Sequence, residues 1–199
     1  MNPRFKQSER FRDRLLFVQE FLRHPRQVAS VVPSSRCALK RIVEGASIRQ
    51  ASTVVELGAG IGGTTRALLS AMRPDARLLS IEINPRFHAH LSRMDDPRLI
   101  AHLGTAVQLE KNLADYGLDS PDAVVSGIPF SAMDQESGCE IVEAIASRLA
   151  PGGHFLAYQV STRVEQLARP FFPSPHVEVV YLNVPPLRIF RWTKPAANG

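Results

Sequence analysis

The residues best placed to do chemistry are Glu56, the glycines that follow it, and Glu82. Glu56 closes an apolar run, Val54-Val55-Glu56-Leu57, that passes directly into Gly58-Ala59-Gly60-Ile61-Gly62-Gly63-Thr64. A strand turning through glycines into a helix permits a tight turn and leaves room for a ligand against the backbone. Twenty residues beyond Gly62 comes Glu82, at the end of Leu78-Leu79-Ser80-Ile81-Glu82-Ile83-Asn84. A carboxylate there can accept both hydroxyls of a ribose.

Gly58, Gly60 and Gly63 also satisfy G-x-G-x-x-G, so the loop alone does not separate a dinucleotide from another adenosine-containing ligand. Three features do. Glu56, two residues before the first glycine, would repel a pyrophosphate but could hold an ammonium group, directly or through water. One such unit is present, not the paired halves of a dinucleotide site. The third feature is a closing pair of strand-like runs, 176–183 and 187–193, joined through Val184-Pro185-Pro186. That link is too short for a crossover helix, so the last strand is predicted to be antiparallel.

In this order the features resemble the class I methyltransferase fold. The resemblance implies a Rossmann-like α/β domain with a seven-stranded, mostly parallel sheet, an antiparallel last strand and helices on both faces. It implies S-adenosylmethionine as cofactor and S-adenosylhomocysteine as product. The positions it assigns to cofactor binding are Ser34, Glu56, Gly58, Ala59, Gly60, Gly62, Glu82, Ile83, Thr105, Ala106, Ser126 and Gly127. Methyltransferases often carry an Asp where this chain has Thr105, which offers adenine a hydroxyl but no charge.

The run Asp122-Ala123-Val124-Val125-Ser126-Gly127-Ile128-Pro129-Phe130 resembles the Asn-x-Pro-aromatic loop of the rRNA adenine dimethylases, with Pro129 and Phe130 in place. In that family the Asn side chain helps to hold an exocyclic amine, whereas Gly127 has no side chain to do so. Those enzymes also grip RNA with an extra helical domain, and none is expected here after the final hairpin. Over most of its length the chain is more similar to the bacterial phospholipid N-methyltransferases, the soluble type that methylates phosphatidylethanolamine, with relatives that act on ornithine lipids. The segments that carry this resemblance include Val32-Pro33-Ser34-Ser35, Glu82-Ile83-Asn84-Pro85, Ser126-Gly127-Ile128-Pro129 and Asn183-Val184-Pro185-Pro186.

These residues need a scaffold that gathers strand ends. From Ser52 onward, strands are predicted at 53–57, 77–83, 99–103, 123–126 and 154–159, and helices at 64–72, 86–93, 107–115, 137–149 and 163–167. Alternating strands and helices mean a parallel sheet covered on both faces. Upstream, 4–24 reads as an amphipathic helix in which Phe11, Leu15, Val18 and Leu22 share a stripe widened by Phe17 and Phe21, and Pro25 ends it. Such a helix covers an edge of the domain or lies in a membrane interface. A second helix is predicted at 36–43, capped by Ser34 or Ser35. The expected division is therefore 1–45, a helical segment for membrane surface and cofactor capping, and 46–199, the methyltransferase domain.

Charge is unevenly distributed along the chain. The 199 residues carry a formal +5, yet residues 1–50 hold eleven Lys or Arg against four acids and the remainder thirteen against fifteen. An anionic partner for the first segment is implied, lipid surface or nucleic acid. No signal-peptide core and no run of about eighteen apolar residues is present, so a membrane would be met from its surface. With two distant cysteines and six histidines outside metal-ligand spacing, no metal, zinc site or disulfide scaffold is expected, and the expected place is the cytoplasm, peripheral on the inner membrane face.

The lead expectation is methyl transfer to the amine of a membrane lipid, most directly phosphatidylethanolamine on its way to phosphatidylcholine. The alternatives are ornithine-lipid N-methylation, RNA adenine N6-methylation and a non-catalytic cofactor-binding module. Phe130 and Tyr158 are the candidates for catalytic walls around the methylated nitrogen, where an aromatic face attracts the growing cation. Ile128, Pro129, Arg188 and Arg191 are the candidates for substrate binding, the two arginines toward lipid phosphate.

Overall fold

The apolar runs form seven strands: β1 (Thr53–Leu57), β2 (Arg77–Glu82), β3 (Leu99–Leu103), β4 (Ala123–Ser126), β5 (His154–Gln159), β6 (His176–Val180) and β7 (Leu187–Thr193). Between and before them lie α1 (Arg36–Gly45), α2 (Gly63–Ala71), α3 (Pro85–Leu91), α4 (Leu109–Asp115), α5 (Gln135–Arg148) and α6 (Arg163–Ala168). This is a computed structural model, and it describes residues 36–181 and 185–196. The segment 4–24, the Ser34 and Ser35 caps and Asn183-Val184 lie outside the described residues.

The sheet order is β3-β2-β1-β4-β5-β7-β6. β1 to β5 run parallel, and β7 inserts antiparallel between β5 and β6. The order in which successive strands are added reverses between β1 and β4, which is where open α/β sheets bind ligands, beyond the carboxyl ends of the strands. Helices cover both faces, so the strands are nearly continuous apolar runs. On one face Val55, Leu57, Ile81, Val124 and Phe155 pack against α4, α5 and α6. On the other, Val54, Leu78, Val125 and Leu156 pack against α1 and α2, with α1 contributing Ala38, Ile42 and Val43.

Two local devices hold the frame. The Asp122 carboxylate accepts the backbone N–H groups of Ser52 (2.7 Å) and Thr53 (3.0 Å), tying the start of β4 to the start of β1. Phe155 and Trp192 stack across β5 and β7 with ring centroids 4.9 Å apart, a geometry worth about 0.5–1.5 kcal/mol beyond area burial.

Element boundaries differ from expectation where side-chain caps decide them. α3 begins at Pro85 because Asn84 accepts from the Arg86 N–H, and α5 begins at Gln135 because Asp134 accepts from Ser137. Residues 106–108 form a separate 3₁₀ turn before α4, and β6 ends at Val180. Among the described residues, no helix is long and apolar enough to cross a membrane.

Candidate active site

The loop after β1 and the end of β2 are a single hydrogen-bonded unit. Glu82 Oε2 accepts the Gly60 N–H at 2.7 Å and Oε1 accepts the Asn84 N–H at 2.8 Å. Each carboxylate oxygen keeps a second acceptor direction, so two hydroxyl donors can still be received. Burial pushes the Glu82 carboxyl above its ordinary range, while the Asn84 and Gly60 amides pull it down. Gly60 has φ +55° and nothing within 4 Å of where its Cβ would stand, so its missing side chain leaves open space against the loop. Gly62 is different: its φ is +79°, and a Cβ there would run into Met94. The first opens a ligand cradle, and the second lets α3 close over the turn.

Glu56 turns inward beneath α2. Its register partner across the sheet is Ser80, and Oε2 accepts from Ser80 Oγ (2.6 Å) and Thr65 Oγ1 (2.7 Å). Oε1 is buried with no hydrogen-bond partner. Burial raises this carboxyl from 4.5 to about 7 against the pull of both hydroxyls, with the Glu82 charge adding to the rise. Thr65 and Ser80 were not candidates from sequence. Ser80 had a signal, a polar residue inside an apolar strand two positions before Glu82 and thus on the same face.

Beyond β3, Thr105 accepts from the Val107 N–H at 3.4 Å, and its carbonyl receives Asn112 Nδ2 at 3.2 Å. Ala106 follows, buried, at the start of the 3₁₀ turn, and Asn112 Oδ1 is buried without a partner. Beyond β4, Ser126 is fully buried and its Oγ accepts from the Ile128 N–H at 3.3 Å. Ile128 and Pro129 are half-buried, and Ile128 leans on Gly58, where a Cβ would come within 3.3 Å of its Cγ1.

Tyr158, near the end of β5, is 3% exposed, and its hydroxyl lies 3.1 Å from Thr64 Oγ1. Burial, reinforced by the Glu56 charge, raises its pKa and keeps the phenol neutral. The phenol oxygen is thus held as a neutral hydroxyl beside Thr64.

Two sequence assignments need correction. Phe130 does not wall an open site: it is fully buried in the core cluster with Ile141, Val164 and Leu167. Removing a large apolar ring from water outweighs presenting it at the mouth. Arg188 and Arg191 do not act together. They are three residues apart on β7, so they face opposite sides of the sheet. Arg188 pairs in register with Gln159 at the carboxyl edge and its guanidinium donates to the Val160 carbonyl. Arg191 pairs with Leu156, about 10 Å further from that edge at the usual strand rise.

The open space at Gly60, the spare acceptor directions of Glu82 and the unpartnered Glu56 oxygen suit a ligand with ribose hydroxyls and an ammonium group. S-adenosylmethionine has both. Among the described residues, no group of three potential metal ligands occurs.

No protein-family model matches the chain. It is 31% identical over 146 residues to the ornithine lipid N-methyltransferase of Singulisphaera acidiphila, covering 72% of this chain and 76% of that one. Ribosomal RNA small subunit methyltransferase A of Opitutus terrae is 31% identical over 173 residues, covering 73% of this chain but 61% of its own length. Among solved structures, the N-methyltransferase NodS from Bradyrhizobium japonicum WM9 gives a TM-score of 0.68 at 15% identity, over 80% of this chain and 96% of that one. The same enzyme in complex with S-adenosyl-L-homocysteine gives 0.65 at 16% identity, over 82% and 88%. These structures carry the fold, and the Singulisphaera relative carries the family. The chain belongs with the ornithine lipid N-methyltransferase among the class I enzymes that take their methyl group from S-adenosylmethionine.

Proposed function

We propose that this enzyme methylates the amine of a membrane lipid, with phosphatidylethanolamine as acceptor and phosphatidylcholine as the end of the series. The observation that carries the reading is Gly127. The loop where the acceptor would meet the methyl group offers no side chain to grip a planar base amine, and a relative covering 72% of this chain and 76% of its own length is by name a lipid N-methyltransferase.

When bound, the cofactor supplies an electrophilic methyl on a positive sulfonium. The residues of this chain do the rest. Glu82 would receive the ribose hydroxyls, Glu56 would offer its unpartnered oxygen to the ammonium, and the backbone of Gly58, Ala59, Gly60 and Gly62 would form the cradle. Ile83, Thr105 and Ala106 would border the adenine, with Ser126 and Gly127 toward the methyl-bearing end. The acceptor amine has an ordinary pKa of about 10 and must lose a proton before it can attack. Half-buried Ile128 and Pro129 keep water away from it, which favours the neutral form. Tyr158 orients the nitrogen, and Arg188 at the carboxyl edge faces the lipid phosphate.

The basic, phenylalanine-bearing segment 4–24 would hold the enzyme on an anionic leaflet, placing it at the cytoplasmic face of the membrane. Each Lys or Arg near such a surface contributes about 1 kcal/mol. Ornithine lipid is the second reading, favoured by the name of the Singulisphaera relative. Transfer of radiolabelled methyl groups to vesicles of phosphatidylethanolamine, to vesicles of ornithine lipid and to RNA separates the readings. Label in RNA with unlabelled lipid would overturn the proposal.

A further inference from the structure

Tyr158, Gly127, Gly58 and Thr64 come from four different elements and meet at one point. A Cβ built on Gly127 would overlap the Tyr158 hydroxyl, and it would lie 3.0 Å from both Tyr158 Cζ and the Gly58 carbonyl oxygen. On the opposite wall, a Cβ on Gly58 would lie 3.4 Å from the Gly127 carbonyl carbon. The loops after β1 and β4 thus come close together at this point, and the phenol of β5 takes the space that a side chain on Gly127 would need. The hydroxyl is held there by Thr64 in the first turn of α2, at 3.1 Å. Its ring is packed in the apolar cluster beneath.

We propose that Tyr158 determines which amine this enzyme accepts, its hydroxyl occupying the room that a side chain at position 127 would need. The inference rests on the lipid-amine reading and deepens it. A planar amine on an aromatic base is held by a carboxamide lying in its own plane, and the hydroxyl excludes a carboxamide at position 127. What is left at this point is two acceptor oxygens, the phenol of Tyr158 and the carbonyl of Gly58. Oxygens approaching from different directions suit an sp³ amine, whose N–H bonds point tetrahedrally and need no stacking slot. Thr64 acts as a positioning residue, because it fixes where the phenol oxygen stands.

The experiment is a mutant cycle on the full chain, read by thermal unfolding, by calorimetry with S-adenosylhomocysteine and by steady-state methylation of phosphatidylethanolamine vesicles. Gly127→Ala should lower the melting temperature, and adding Tyr158→Phe should restore part of it by removing the overlapping oxygen. Tyr158→Phe alone should raise KM for the lipid about tenfold, as expected for one lost hydrogen bond to an ionising group, with product affinity changed no more than about twofold. Thr64→Val should raise KM in the same direction and Thr64→Ser should restore it.

Product affinity and KM moving together in Tyr158→Phe would make the tyrosine a cofactor-site or structural residue and overturn the proposal. So would a Gly127→Ala defect that Tyr158→Phe leaves unrelieved. Wild-type enzyme that labels RNA and no lipid would instead overturn the lipid reading. The stability half of the cycle would still decide whether the phenol excludes a side chain at position 127.

Discussion

Glu82 reaches 22 residues back along the chain to accept the Gly60 N–H at 2.7 Å. The acid at the end of β2 and the glycine loop after β1 therefore hold each other before any ligand arrives. Because the other oxygen accepts from Asn84, the carboxylate is fixed in rotation as well as position. A ligand that needs an acceptor here would meet a carboxylate already ordered, which lowers the ordering cost of binding.

Glu82→Ala should weaken S-adenosylhomocysteine binding by about tenfold to a hundredfold, the range for losing hydrogen bonds to a charged acceptor. Glu82→Gln should be nearly as damaging. An amide has one acceptor oxygen, so either Gly60 or Asn84 would face an NH₂ group. Calorimetry gives the affinity, and amide hydrogen exchange at Gly60 reports whether the loop has loosened. Wild-type affinity in Glu82→Gln would show that the two backbone bonds are incidental.

Five of the strands forming the sheet were legible to the residue, β1, β3, β4, β5 and β7, because each is an apolar-rich run between turns, most clearly β1, β4 and β5, which are buried on both faces. That the glycine loop and Glu82 lie side by side was legible because a strand–loop–helix–strand unit returns the end of β2 beside the end of β1. Side-chain contacts across the sheet were not. Nothing local says that Thr65 and Ser80 will converge on Glu56, since that meeting depends on strand register and on how α2 returns over β1 and β2. Phe130 was misread for a related reason. Its place in a Pro-aromatic motif suggests a site wall, while the turn at 130–132 rotates the ring into the core.

Glu56 should make stability depend on pH. Its carboxyl lies at about 7 in the folded chain against an ordinary 4.5. A raised acid holds its proton in the folded state after the unfolded chain has released it. The stabilisation is therefore complete below about 4.5 and is lost as pH rises to about 7. A rise of this size corresponds to about 3 kcal/mol. Glu56→Gln keeps an acceptor for Thr65 and Ser80 but cannot ionise, so it should be more stable than wild type at pH 8. Its melting temperature should fall less between pH 5 and 8. Glu82, raised in the same direction, leaves a residual slope. Parallel melting curves for mutant and wild type would remove Glu56 as the source.

Removing residues 1–24 deletes six of the eleven basic residues in the first fifty, together with Phe11, Phe17 and Phe21. Binding to anionic vesicles combines charge attraction with insertion of apolar side chains, and the truncation removes both. Cosedimentation with vesicles containing phosphatidylglycerol should be lost, while S-adenosylhomocysteine affinity stays within about twofold because Glu56, the glycine loop and Glu82 are untouched. Undiminished cosedimentation would return this segment to the role of a domain cover.

Phe130 offers the clearest separation of packing from catalysis. Its ring is fully buried beside α6, among Ile141, Val164 and Leu167, so truncation to Ala should cost about 3–5 kcal/mol and endanger folding. Phe130→Leu keeps much of the volume and is the more useful variant. Loss of a shape-matched ring should cost about 1–2 kcal/mol, a fall of several degrees in melting temperature for a domain of this size. If the ring serves only the core, KM for lipid and affinity for S-adenosylhomocysteine should stay near wild type at temperatures well below the transition. A selective rise in KM for lipid, with stability unchanged, would instead put the ring back against the methylated nitrogen.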